Sequence, residues 1–320
     1  MQFLKSLGFA AVAAASIALA ALPAQAEWPD GPITMLIGYK AGGGTDTKGR
    51  VLAKQLGEEL GVPVKVINRP GGGQATALLW FKEQPADGSI FFFGAITGLT
   101  LNPHLNPSLD FRYTDYDYCC TVTEFQPAMV APASAPFEDW AGFIAYAKAN
   151  PGVKYAALSP YARILMQLIA EKDGLDVNYI PTKGGAGMVQ LILGNQVDLA
   201  YSGGIHSRYP GKFKTLAVVT TKRQPQYPDV PTLADLGYQG AADAPTVIAF
   251  PKGTDPAIIA KLDAAVEKAV QTKDMKDISA KIMMPISYVG LENIDALVEE
   301  SNATLEKMVK DSGYEPPKSN

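Results

Sequence analysis

The sequence predicts an α/β protein whose parallel sheets carry helices on both faces. Three observations support that class. Strand-like and helix-like segments alternate along most of the chain, which is the pattern of βαβ units. Four strand-to-helix turns, at 40–46, 69–74, 157–163 and 182–187, are rich in glycine or in helix-starting residues. About 290 of the 320 residues follow an N-terminal leader, enough for two globular lobes or one large domain.

The leader is residues 1–26. Lys5 precedes an apolar run from Leu7 to Leu22, and Ala24-Gln25-Ala26 ends it. That is the layout of a secretory signal cleaved after Ala26, and the run is short for a bilayer span. A soluble mature chain beginning at Glu27 in the periplasm is expected. It carries 27 basic and 32 acidic side chains, a net charge of −5, with no basic block, which speaks against nucleic acid as a partner.

The elements follow in order. PITMLIGY (32–39) is an apolar, β-branched strand. Beyond the glycines, Val51, Leu52, Leu56 and Leu60 line one helical face, closed by Gly61. VPVKVIN (62–68) is a second strand, RPGGGQATALLWFKEQ (69–84) a glycine turn feeding a helix, and SIFFFGAIT (89–97) a third strand. Such a βαβαβ run implies a parallel sheet covered on both faces. The middle of the chain repeats the idea. FEDWAGFIAYAKANPG (137–152) places Trp140, Phe143, Ile144 and Ala147 on one helical side, and VKYAAL is a strand. SPYARILMQLIAEKDG (159–174) opens with a capping Ser159 and Pro160. VNYIPTKGGAGMVQLILGN (177–195) reads strand, glycine turn, helix, and QVDLAYSGG and FKTLAVVTT are two more strands. The tail holds amphipathic helices at 255–272 and 293–313 around PISYVG. No low-complexity linker separates the halves. Strands are therefore expected to cross between two lobes near 127–131 and 243–249, where Pro127, Pro132, Pro245 and Pro251 punctuate extended segments.

Side chains that carry chemistry are sparse. Cys119 and Cys120 are the only cysteines. Neighbours can bond only through a strained eight-membered ring, so the favoured reading is two thiols alternating across a strand. No further cysteine completes a metal site, and His104 and His206 stand apart without an H-E-x-x-H pair. GGGTDTKG lacks the Lys-Ser/Thr pair of a phosphate-binding P-loop, and Thr47 stands where a dinucleotide fingerprint needs its third glycine. AYSGG lacks the first glycine of a nucleophile elbow. With no nucleophile, acid–base pair, metal or cofactor site in view, no reaction is predicted.

What the turns offer is anion binding. A helix start exposes unpaired N–H groups and about half a positive charge, and glycine lets a small anion approach the backbone. Two turns per lobe, facing across a cleft, would grip a ligand with a carboxylate at each end. Lys40, Arg69, Arg163 and Lys183 cluster at the same turns. Arg163 stands out because a guanidinium grips a carboxylate bidentately. Asp46 either meets the ligand or caps the first helical turn. Asn68 and Arg69 are expected to brace the second turn.

Read in order, WPDGPITMLIGYKAGGGTD, NRPGGGQATA, PADGSIFFFG, KANPGVKYA, PTKGGAGMVQLILGNQVDLAYSG, KTLAVVTTKRQPQYPDVPTLADLGY and FPKGTDPAIIAKLDAAVEKA resemble a known family. They are similar to the periplasmic solute-binding receptors of tripartite tricarboxylate transporters, the Bordetella uptake gene or citrate-receptor type. The resemblance implies a type II periplasmic binding protein, a Venus flytrap of two lobes, each a mostly parallel sheet flanked by helices. Residues 27–128 and 246–320 are expected to form lobe 1, and 129–245 lobe 2. By position, the ligand would lie against Ala41, Gly42, Gly43, Gly44, Thr45 and Asp46, with Tyr39 and Lys40 just before them. The second loop supplies Gly71, Gly72 and Gly73. Across the cleft stand Ser159, Tyr161 and Arg163, then Lys183, Gly184 and Gly185. Ser202 and Gly203 follow the strand VDLAY.

The chain departs from the family where ALSPYAR replaces an S-S-G-x-G-S loop. Pro160 and Tyr161 hinder capture by backbone alone, and Arg163 helped by Tyr161 is expected to replace it. Lys40 would suit a second or third carboxylate. The implied function is that of a monomeric, non-enzymatic receptor, without cofactor or metal. It captures a di- or tricarboxylate and delivers it to the transporter's membrane subunits. The alternative is a sensor that presents a carboxylate to a signalling partner, and an exported hydrolase or lyase on the same sheet stands third.

Overall fold

The computed structural model describes residues 28–157, 159–182 and 184–315. The leader and Lys183 lie outside them. In chain order the elements are β1 (Ile33–Ile37), α1 (Gly44–Leu60), β2 (Val64–Asn68), α2 (Ala75–Lys82), β3 (Ile90–Ala95), two single turns α3 (Thr97–Thr100) and α4 (Asn102–Leu105), and β4 (Tyr116–Glu124). Then come β5 (Ala128–Pro132), α5 (Trp140–Ala149), β6 (Val153–Ala157), α6 (Pro160–Asp173), β7 (Val177–Pro181), α7 (Gly184–Leu193), β8 (Leu199–Ser202) and β9 (Phe213–Val218). Last are β10 (Pro245–Pro251), α8 (Pro256–Gln271), α9 (Lys273–Ile282) and α10 (Leu291–Asp311).

Among the described residues the strands form two five-stranded sheets, ordered β2-β1-β3-β10-β4 and β7-β6-β8-β5-β9. In each, four strands run one way and one runs against them: β10 in the first sheet and β5 in the second. β3 (IFFFGA) is buried at every position, as a strand covered on both faces must be. The helices begin where the sequence supplies caps. Asp139 accepts from Gly142 N–H at the start of α5, and Ser159 from Ala162 N–H at the start of α6. Asp255 accepts from Ala257 N–H beside α8.

The chain passes between the sheets in two short connectors. Phe125, Gln126 and Pro127 leave β4 for β5, and Asp243 and Ala244 lead into β10. Phe125 N–H donates to the Ala244 carbonyl at 3.1 Å, tying one connector to the other. β5 and β10 are already paired within their own sheets, so the passages occupy only the first residues of the expected stretch 243–249 and the edge of 127–131. Pro127 immediately precedes one of these strands and Pro245 opens the other, where a missing N–H costs no ladder bond. Helix α10 packs on both lobes: Ile294 and Val298 join the first lobe's core, while Leu305, Met308 and Val309 join the second lobe's.

The expected alternation of Cys119 and Cys120 does not occur. Ile248 of β10 faces Cys120 and Ala249 faces Tyr118, which leaves Cys119 as the extra residue of a bulge. Both thiols then enter the same core layer, with Sγ atoms 3.5 Å apart.

One side chain organises the first lobe's ligand-facing edge. Gly71, Gly72 and Gly73 have φ of 141°, 53° and 59°, and Gln74 follows at 83°, a left-handed run that glycine makes feasible. It turns the Gln74 amide inward, where it donates to the Ala95 carbonyl and accepts from Ala95 N–H, both at 3.0 Å. A Cβ on Gly38, Gly94 or Gly98 would stand within 2.8 Å of that side chain, so space, not backbone angle, demands glycine there. Gly94→Ala is expected to lower unfolding stability by about 2–3 kcal/mol. Its methyl would meet Gln74 Oε1 at 2.2 Å and Phe92 Cζ at 2.3 Å. Urea unfolding should show the midpoint falling with an unchanged slope.

Candidate functional site

The glycine-rich turns lie at the carboxyl ends of β1, β2, β6, β7 and β8, the edge where open α/β sheets take ligands. The first loop runs from Tyr39 to Asp46. Lys40, Ala41, Gly42 and Gly43 are exposed, while Thr45 and Asp46 are buried beneath them. Helix α1 starts at Gly44 without a side-chain cap, so no capping side chain takes up its first amides.

Asp46 is fully occupied. Its Oδ2 accepts from Gly42 N–H at 2.8 Å and Arg50 Nε at 3.0 Å. Oδ1 accepts from Asn68 Nδ2 and pairs with Arg50 Nη2, both at 2.9 Å. Burial pushes the carboxyl up, but the hydrogen bonds from Arg50, Gly42 and Asn68 outweigh it and hold the group below its ordinary range. Four donors use the lone-pair sites of a carboxylate. Of its two expected roles, the structure therefore builds the internal one, bracing the loop. Asn68 serves the first loop, not the second as expected, donating also to the Tyr39 carbonyl at 3.0 Å. Arg69 lies flat over Trp80, 3.9 Å from its ring centre. The second loop's carbonyls at Gly72 and Gly73 are held by Asn102 Nδ2.

In the second lobe, Ser159 spends its hydroxyl on the α6 cap. Tyr161 is buried, donating to the Gly240 carbonyl at 2.8 Å and meeting Tyr201 edge-on. It points into the core, away from any joint role with Arg163. Arg163 is exposed and rests over Tyr179, 4.9 Å from the ring centre. It lines a cavity of about 640 Å³ with Ser159, Tyr179, Tyr314 and Glu315, and no first-loop residue lines that cavity. Ser202 Oγ accepts from Gly204 and His206 N–H and pairs with His206 Nδ1 at 2.8 Å. Burial holds His206 at about 4, so it is neutral at ordinary pH. Gly184 opens α7 and Gly185 packs near Ile205; Gly203 borders open space. A cavity of about 790 Å³ lies at the far end of the first sheet, around Tyr116, Lys252 and Asp295, and contains none of these loops.

The two lobes meet at the first loop, in part through a residue that sequence reasoning missed. Arg208, just after β8, donates from Nη2 to the Ile282 carbonyl at 3.4 Å. The same Nη2 stands 3.8 Å from where a Cβ on Gly44 would be. Tyr39 of the first lobe adds to the rise that burial imposes on the Tyr201 phenol of the second. Nothing in GGIHSRYPGK marks Arg208 out from other surface cations.

A model of the tripartite tricarboxylate transporter family receptor matches residues 49–314. The chain belongs to the tripartite tricarboxylate transporter receptor family. A relative, the UPF0065 protein in gbd 5'region of Cupriavidus necator, is 33% identical, covering 96% of this chain and 97% of that protein. Among solved structures, a ligand-free TctC solute binding protein from Polaromonas is 25% identical with a TM-score of 0.76, covering 89% of this chain and 99% of that one. R. palustris Rpa4515 with adipate is similar in fold, with a TM-score of 0.77 and 24% identity over 91% and 100% of the two chains. This receptor's two mixed sheets flanked by helices agree with the expected binding-protein fold.

In this family member a titratable pair sits where β4 ends and the second connector begins, at Glu124 and Asp243. Burial first, then the charge and hydrogen bond of Asp243, raise the Glu124 carboxyl to about 7, with Lys222 opposing. Between pH 4.5 and 7 only the folded state holds that proton, so stability should fall as pH rises through this window and level off above it. Glu124→Gln is expected to remove about 1–2 kcal/mol of that fall, read from denaturant unfolding at pH 5 and pH 8.

Proposed function

We propose that this chain is a periplasmic receptor that captures a small organic carboxylate, a di- or tricarboxylate, between its lobes. It acts as a monomer and hands the ligand to the membrane subunits of a tripartite transporter. One observation carries the reading. An uncapped, exposed glycine loop opens a seventeen-residue helix, and a guanidinium from the other lobe stands 3.8 Å from where a Cβ on Gly44 would be. A carboxylate placed there would receive backbone N–H groups and the positive helix end from one side. Arg208 would approach from the other side, and such contacts favour the closed arrangement.

In this reading Lys40 to Thr45, Gly72, Gly73 and Gly203 line the ligand's path, with Tyr39 and Tyr201 walling it. Asp46, Ser159 and Ser202 hold the loops in shape and leave the contacts to the backbone. Arg163, with Lys183 and Gly184 of the next strand-to-helix turn along the chain, serves a ligand long enough to reach the outer cavity. That Rpa4515 was solved with adipate supports testing acids of four to six carbons. No chemical step is assigned to the bound acid.

Calorimetric titration with succinate, malate, adipate and citrate is expected to reveal at least one tight binder. Arg208→Ala should weaken it about tenfold or more, as for one truncated charge-assisted contact, and Arg163→Ala should weaken it less. A blank with every acid would remove the carboxylate assignment. Conversion of a bound acid, seen by chromatography, would make the chain an enzyme.

A further inference from the structure

Lys48 stands on α1 one turn beyond Gly44 and is completely buried. Its Nζ donates to Thr123 Oγ1 and rests 3.7 Å from Met284 Sδ. The rings of Phe93 and Phe125 are each centred 5.6 Å away. No ion pair joins it to a carboxylate among the described residues. An ammonium has three protons to place. Here one hydroxyl takes one, and the remainder face two rings and a thioether. Burial accordingly drives the amine well below the ordinary lysine range. A methionine or leucine would fill the same space without that penalty.

The position gives the buried amine a use. Phe93 and Thr123 sit at the carboxyl ends of β3 and β4, on the ligand-facing edge of the first sheet. Thr123 Oγ1 also pairs with Thr246 Oγ1 at 3.0 Å, and Phe125 belongs to a connector. The amine therefore touches one connector at Phe125 and reaches the start of β10 through the Thr123–Thr246 pair. It also underlies the glycine loop. Met284 Sδ is 3.7 Å from Lys48 Nζ and 3.6 Å from a Cβ built on Gly44, so a single thioether separates the amine from the loop's inner side.

We propose that Lys48 is the proton-linked counter-charge of the bound carboxylate: when an anion settles on the 41–46 loop, the amine takes up one proton from solvent and bonds more strongly to Thr123. This rests on the carboxylate reading above. An anion within about two turns' width, in the low dielectric under the loop, raises an amine's proton affinity by about tenfold or more. Affinity should then fall as pH rises past the point where the empty protein's amine loses its proton. The other charged groups facing this region are accounted for. Asp46 and Arg50 are spent on each other, Glu124 is paired with Asp243 and near Lys222, and Arg208 holds Ile282. Glu124, at about 7, has lost its proton by pH 8.5.

The test is calorimetry with succinate, malate, adipate and citrate at several pH values from 7 to 9.5, each in two buffers of unlike ionisation enthalpy. At the pH of greatest effect the wild-type heat is expected to differ between buffers by the equivalent of about half a proton or more taken up per ligand bound. Glu124→Gln should keep that difference. Lys48→Met should lose it and bind about tenfold more weakly at pH 7. Equal wild-type heats in both buffers across pH 7–9.5, or wild-type affinity in Lys48→Met, would overturn the inference while leaving the receptor reading intact. Failure to bind any of the acids would overturn both. Should Lys48→Met fail to fold, the wild-type buffer comparison decides alone.

Discussion

The Asp46 carboxylate is the constraint on which the glycine-loop edge of the first sheet depends. Its four hydrogen bonds reach the first loop at Gly42, helix α1 at Arg50 and strand β2 at Asn68. Asn68 carries the tie on to the Tyr39 carbonyl. A loop with three consecutive glycines has more backbone freedom to lose than any other sequence of its length. A mobile loop would give up, in ordering itself around a ligand, much of what its amides gain. A buried carboxylate with every acceptor site filled removes that freedom in advance, which is preorganisation in its plainest form. The second loop is held by the same logic with different groups, through the Gln74 amide locked on Ala95 and Asn102 on the carbonyls of Gly72 and Gly73.

The lobes are joined by little chain and much chemistry. Two connectors bonded to each other carry Phe125 and Asp243, with Glu124 ending β4 beside them, and Thr123 and Thr246 pair just inside. Helix α10 ends in the second lobe's core after beginning in the first's. Arg208 bridges from β8 to the α9 end. Lobe contacts and titratable groups thus share a small volume, where low dielectric makes each felt by the others.

Several features of the site were legible before the fold was known. Period and punctuation place β1, α1, β2, α2 and β3, because apolar alternation and capping residues act over a few residues. The glycine triplets at 42–44 and 71–73 announce backbone that must approach something closely. The order of motifs identifies the family. What could not be read was which cation faces which loop. Arg163 and Arg208 are equal as letters, and their difference lies in where α6 and the turn after β8 are packed: one guanidinium rests on Tyr179, the other crosses to Gly44. Lys48 looked like any exposed lysine of an amphipathic helix until its neighbours proved to be Phe93, Phe125 and Met284.

By itself the sequence determined the class of fold, the positions of its glycine-rich strand-to-helix turns and the receptor family, since these rest on local propensity and on motif order. The tertiary structure alone decided that Asp46 has its acceptor sites filled by the loop, α1 and β2, that a bulge in β4 puts Cys119 beside Cys120, and that Lys48 is buried without a counter-ion among the described residues. Each of those depends on partners many residues away. Burial and register are set by how sheets, helices and connectors meet, and a linear pattern does not encode that meeting at any single position.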